Sequence, residues 1–233
     1  MSYATNSVSD AIEQIGDGIK WRCQNDPLPP EAVVVRTPVA LMFVRGDRAE
    51  PGAALAKQVV ASFGYWNIES SKYLDLVFFG WFKEGDEVGF QKKDNGRIFL
   101  DCVKQVEDLS KWHYSGETDI LLVDFEMDVK AGGELENGRF SFKNCIYLPV
   151  EAMLAEKRVR SLDALVHELV EAGKKVFEAS QFEGSVFEIS DRIAWIRGKK
   201  ALWDQLKKLF LRDWAKVYDE LRPFAVCDLS VVV

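Results

Sequence analysis

The loop Arg45-Gly46-Asp47-Arg48-Ala49-Glu50-Pro51-Gly52 puts two arginines, an aspartate and two glycines within eight residues. It follows a continuous apolar run, Pro38 to Val44, and precedes a helical pattern over about 53–66. Loops at the carboxyl end of a strand and the amino end of a helix are where α/β sheets commonly take ligands. Arg45 and Arg48 could pair an anion that the helix N-terminus also favours. Arg45, Gly46, Asp47 and Arg48 are therefore candidate ligand-binding residues. The competing reading is a solvated loop whose arginines pair with Asp47 and Glu50. Trp81, like Trp112, is a candidate to line a pocket at the end of the sheet, with core packing as its alternative.

Carboxylates raise a second possibility. Asp124, Glu126 and Asp128 alternate, so a strand would turn all three to one side, an arrangement that suits magnesium. With Asp47 and Asp124 as magnesium ligands and Arg45 or Arg48 on phosphate, the chain would be a metal-dependent hydrolase of a phosphoester or nucleotide. A wet strand face explains the same alternation without a metal. His167 and Glu171 stand four apart on a helical pattern, but no further histidine cluster completes a metal shell. Ser115 lies between His113 and Glu117, yet histidine occupies the place where a nucleophile elbow has glycine. No glycine-rich turn ends in Gly-Lys-Ser/Thr, and Gly16-Asp-Gly18 precedes any strand, so the nucleotide fingerprints fail.

These residues need elements to hold them. Val8, Ile12, Ile15 and Ile19 mark a helix opened by Ser7-x-x-Asp10, and three prolines make residues 24–32 a loop. Pro38–Val44 and Leu74–Phe82 read as buried strands, joined by the helix whose stripe is Leu55, Val59, Phe63 and Trp66. A right-handed crossover makes that pair parallel. Asp94-Asn95-Gly96 between Val88–Gln91 and Arg97–Phe99 signals a hairpin, and residues 100–112 return to helical spacing. Ile120–Phe125 and Arg139–Leu148 are two more strands, joined antiparallel across the glycine-rich stretch 132–138. Pro149 opens a short helix, and Ser161 caps another striped by Leu162, Leu165, Val166, Leu169 and Val170. Residues 190–222 carry the pattern of a long helix.

The expected fold is therefore a three-layer α/β domain with a mixed, mostly parallel, Rossmann-like sheet, an antiparallel hairpin and a long C-terminal helix. Residues 1–36 form an N-terminal helix and proline-rich linker, 37–180 the α/β core, and 181–233 a helical segment. The last of these carries nine basic residues against five acidic ones over 190–222, in a chain of net charge −7. Its apolar stripe includes Trp203, Leu206, Phe210 and Trp214, which form a candidate interface to a protein partner or a second copy. Packing of this stripe on the acidic body is the simpler alternative. An acidic chain is a poor coat for nucleic acid, and no apolar run reaches the length of a membrane span. Four scattered cysteines without a CxxC pair, and a start without an apolar signal, suit the cytoplasm. Every catalytic signature is incomplete. The leading expectation is therefore a non-catalytic recognition or adaptor domain needing no cofactor, which binds a protein partner or a small anionic ligand. The hydrolase is its rival.

Overall fold

The computed structural model describes residues 1–25, 28, 32–70, 72–91, 96–180, 185–194 and 224–231. Five strands form one mixed sheet in the order β1-β3-β2-β6-β7: β1 (Ser2–Thr5), β3 (Asp75–Phe79), β2 (Val34–Phe43), β6 (Asp119–Val129) and β7 (Leu135–Pro149). The β1–β3 and β3–β2 pairings are parallel, and β2–β6 and β6–β7 antiparallel. Parallel and antiparallel pairings are thus equal in number, where a mostly parallel sheet was expected. The difference comes from β6, which lies against β2 in antiparallel sense.

Helices cover both faces. In α2 (Gly52–Ser70), Leu55, Val59, Phe63 and Trp66 are buried, with Phe63 and Trp66 against Phe78 of β3. The next residue, Phe79, points to the opposite face and packs on Phe43. On that face lies α1 (Val8–Asn25), where an added Cβ on Gly16 would touch Met127. Ser7 Oγ accepts the Asp10 N–H at 3.0 Å, as the capping pattern predicts. The helix α3 (Arg97–Leu109) packs beside α1, while α5 (Leu162–Ser180) packs beside α2. Pro149 precedes α4 (Val150–Ala155), and Ser161 Oγ caps α5 by accepting the Ala164 N–H at 3.0 Å.

A buried ion pair lies in this core. Asp75 has no exposed side-chain surface and pairs with Arg22 at 2.8 Å, itself only 6% exposed. Arg22 also donates to the Lys72 carbonyl at 3.1 Å, and the Met1 amine reaches Asp75 at 3.1 Å.

The apolar run 74–82 is two strands rather than one. Gly80 breaks it at a φ of 72°, and β4 (Trp81–Glu84) turns away to pair with β5 (Glu87–Phe90). Their two-residue turn is Gly85-Asp86, with Gly85 at a φ of 59°. The hairpin expected around Asp94-Asn95-Gly96 is not formed as predicted, because Arg97 begins α3. Residues 94 and 95 lie outside the described residues. Burial explains the correction: Phe99, Cys102, Val103 and Val106 make one helical stripe, while Leu100 and Leu109 face outward. A Cβ on Gly80 would come within 2.8 Å of Phe99 Cβ and 3.1 Å of its Cα. Gly80→Ala is expected to lower stability by about 1–2 kcal/mol through the left-handed conformation alone. An unchanged melting temperature would show that Gly80 is not needed to part β3 from β4.

Candidate ligand site at the carboxyl end of β2

After Phe43 the chain leaves the sheet through Val44, whose carbonyl accepts the Trp81 indole N–H at 2.8 Å. Trp81 is 1% exposed and packs on Phe78 and Phe90. It anchors the loop from beneath and offers no surface to a ligand, so its place among the ligand-lining candidates is corrected to the core. Gly46 is a close-approach position, since any Cβ there would overlap the Cβ of Phe90.

Both arginines are held by carboxylates. Arg45 grips Asp47 with two bonds, Nε to Oδ1 at 2.6 Å and an Nη to Oδ2 at 3.0 Å. Gly96, at the start of α3, lies against this fork: a Cβ there would meet Asp47 Oδ2 at 3.1 Å. Arg48 pairs with Glu151 in the first turn of α4, and Glu151 also accepts the Thr118 N–H at 2.9 Å. Of the expected partners, Asp47 takes Arg45, but Glu50 does not take Arg48. Glu50 instead accepts the Ala54 N–H at 3.1 Å in the first turn of α2.

The neighbouring wall comes from the segment after α3. Trp112 lies 4.4 Å from Phe43, ring centre to ring centre, and Tyr114 packs against Trp112 and Phe99. The Trp112 indole N–H and the Tyr114 hydroxyl are both buried and have no hydrogen-bond partner. Such groups are costly to leave unpaired. Burial and nearby Asp119 push the Tyr114 hydroxyl up from its ordinary pKa, against the pull of Arg48 and Arg45, so it is a protonated donor. Asp119, at the start of β6, accepts the Ser115 N–H at 3.0 Å, the Ser115 hydroxyl at 2.8 Å and the Tyr147 hydroxyl at 3.1 Å. Burial raises the Asp119 carboxyl above the usual range, and the Ser115 and Tyr147 bonds oppose the rise.

The other sequence candidates are placed elsewhere. Asp124 stands opposite Pro38, while Asp119 stands opposite Phe43, the last residue of β2. Five residues of strand, about 17 Å, thus separate Asp124 from the end of β2 at which Asp47 lies. Asp124 accepts the Val186 N–H at 2.7 Å and so holds the start of the helical residues 186–194. Ser185 and Glu188 complete that start reciprocally: Ser185 N–H donates to Glu188 Oε2 at 3.0 Å, and Glu188 N–H to Ser185 Oγ at 3.4 Å. Glu126 lies between Arg36 and Arg139, and Asp128 pairs with Arg139. The three alternating carboxylates are thus spent on the helix start and on arginines. His113 is exposed and 3.8 Å from Glu107, so Ser115 is served by Asp119 rather than by histidine. His167 pairs with Glu69 of α2. Among the described residues no three histidine, cysteine, aspartate or glutamate side chains converge on a place for a metal ion. Trp203, Leu206, Phe210 and Trp214 lie outside the described residues.

The sequence alone singled out none of Asp119, Tyr147, Glu151 and Tyr114 as a site residue. Glu151 is a first-turn residue of a short helix, and only the fold brings it to Arg48. The chain matches no family model, no curated protein and no solved structure.

Proposed function

We propose that the chain is a non-catalytic recognition domain that takes a small anionic ligand at the carboxyl end of β2. The observation that carries this reading is the buried, unpartnered Tyr114 hydroxyl, near enough to Arg45 and Arg48 to feel both charges, with the unpartnered indole of Trp112 packed against its ring. An oxyanion or carboxylate could accept from the Tyr114 hydroxyl and from an arginine beside it. In the free protein Asp47 occupies the Arg45 fork, so a ligand competes with it. The parallel β2–β3 pair with α2 between its strands supports relating the domain to Rossmann-like sheets. The basic, tryptophan-bearing stretch 190–222, read as a long helix in the sequence, is assigned to assembly with a protein partner or second copy. Four scattered cysteines without a CxxC pair support a cytoplasmic setting.

Titration of the full chain with inorganic phosphate, followed by NMR shifts of the tryptophan indole protons, tests the site. Arg45→Gln should abolish the shift at Trp112. Asp47→Asn should tighten binding about fivefold by removing the internal competitor, the worth of a good exposed ion pair. A hydrolase using Asp47 for magnesium predicts the reverse, with weaker binding and lost turnover of a phosphoester. Binding indifferent to Arg45→Gln would overturn the assignment.

A further inference from the structure

Cys145 of β7 and Cys227 stand directly opposite one another in an antiparallel bridge. They exchange both main-chain hydrogen bonds, Cys145 N–H to the Cys227 carbonyl at 2.9 Å and the reverse at 2.8 Å. Residues paired in this way have Cα atoms about 5.5 Å apart and side chains on the same face of the pair. That separation lies near the middle of the disulfide range, roughly 4.4–6.8 Å. Both thiols are free, with Cys145 buried and Cys227 exposed. The Cys227 thiol already leans over its neighbour, donating to the Cys145 carbonyl at 3.4 Å. Residues 224–231 form a return segment that meets the body through this bridge, a second bridge between Ser110 and Ser230, further main-chain bonds, the buried Phe224 and the packed Val226 and Leu229. Leu229 N–H donates to the Phe142 carbonyl at 2.8 Å, and Lys111 N–H to the Leu229 carbonyl at 2.7 Å. The Cys145 thiol donates to the Phe142 carbonyl at 3.1 Å, a bond that closure exchanges for the disulfide, while Cys102 lies on α3 and Cys23 on α1, neither in a bridge with another cysteine among the described residues.

We propose that Cys145 and Cys227 form a reversible intramolecular disulfide that fastens the return segment to β7. The oxidant is a low-molecular-weight disulfide such as oxidised glutathione. The exposed Cys227 thiolate attacks one glutathione sulfur, forming a mixed disulfide and expelling the first glutathione thiolate. The Cys145 thiolate then attacks Cys227 Sγ, closing the protein disulfide and expelling the second. The protein is oxidised by two electrons, and its two thiol protons leave on two reduced glutathiones. Burial pushes both thiols above their ordinary pKa, with Asp228 adding to the rise at Cys227, so exchange accelerates as pH increases. This pairing stands apart from the ligand-site reading and does not rest on it.

The test incubates the full chain with oxidised glutathione at about pH 8.5, then alkylates free thiols and maps peptides by mass spectrometry. The expected product is about 2 Da lighter than the reduced chain, loses two alkylation sites and yields a Cys145–Cys227 cross-linked peptide. Dithiothreitol restores both sites, and amide exchange at Cys145, Cys227, Leu229 and Lys111 slows in the oxidised form. Cys145→Ser should stop at a Cys227–glutathione mixed disulfide, and Cys227→Ser should form neither product. A stable mixed disulfide on Cys227 of the unmodified sequence would overturn the pairing, as would two thiols still alkylated or a cross-link to Cys23 or Cys102.

Discussion

Asp75→Ala should destabilise the protein by about 3–5 kcal/mol at neutral pH, the largest loss expected from any single polar substitution described above. The loss comes less from the missing bond than from what remains, a guanidinium on Arg22 that is 6% exposed and has lost its counter-charge. Burial alone would raise the Asp75 carboxyl, but Arg22 and the Met1 amine outweigh it and hold its pKa below the usual range. The folded value is therefore lower than the unfolded one, near 4. The contribution is fully present above that unfolded value and disappears as pH falls through the folded value. Urea unfolding of both proteins at pH 7 and at acid pH measures it, and the gap between them should narrow in acid. The pair Asp75→Leu with Arg22→Met should recover most of the loss, because apolar side chains of similar length leave no charge behind. A single Asp75→Ala variant as stable as the parent at pH 7 would show that Arg22 finds other compensation.

Asp124→Asn should act in the opposite direction and raise stability at pH 7. Burial pushes the Asp124 carboxyl up to about 6, while the Val186 N–H, Arg36 and Asn144 pull it down. Its folded value lies above the unfolded one, so the folded state holds the proton more tightly. The resulting stability is complete below about pH 4 and is lost as pH rises to about 6. At neutral pH the ionised, buried group therefore works against folding. Asparagine keeps a carbonyl oxygen for the Val186 N–H and carries no charge. The gain should be on the order of 2 kcal/mol at pH 7, or about 5 °C in melting temperature, and should vanish near pH 4. Thermal melts across that range decide the matter. A fall in stability at pH 7 would mean that the carboxylate's charge is needed to hold residues 186–194. Under the hydrolase reading the same substitution abolishes turnover and leaves the melting temperature nearly unchanged.

Periodicity exposed most of this fold, because the dominant signal in each long element is its buried stripe. The stripes of α1, α2 and α5, the buried runs of β2 and β6, and the two capping serines are all legible in the sequence. Two kinds of feature were not. Gly80 carries no pattern of its own, so the run 74–82 read as a single strand, and Arg97–Phe99 read as β when its neighbours settle it as α. The short strand β1 is paired to β3 by residues more than seventy positions away, a relation no local window contains. The site divides along the same line. Arg45, Gly46, Asp47 and Arg48 are adjacent and stood out together. Glu151, Asp119 and Tyr147 come from separate elements and meet that loop only through the β2–β6–β7 register. Asp124 had the right residue type for a metal ligand, but its role depends on a helix start 62 positions along the chain.

The irregular stretch of β7 also has a bearing on solubility. β7 spans fifteen residues on one side of the sheet, and a strand of that length with unmet main-chain groups is a template on which another molecule's strand can extend. Between Ser141 and Ile146 its register against β6 shifts, and there Cys227 and Leu229 take up the main-chain groups of Cys145 and the carbonyl of Phe142. A register shift twists a strand locally. Among the described residues, the ladder that an aggregating neighbour could find along β7 is thereby cut in two, with the break already occupied by the protein's own chain.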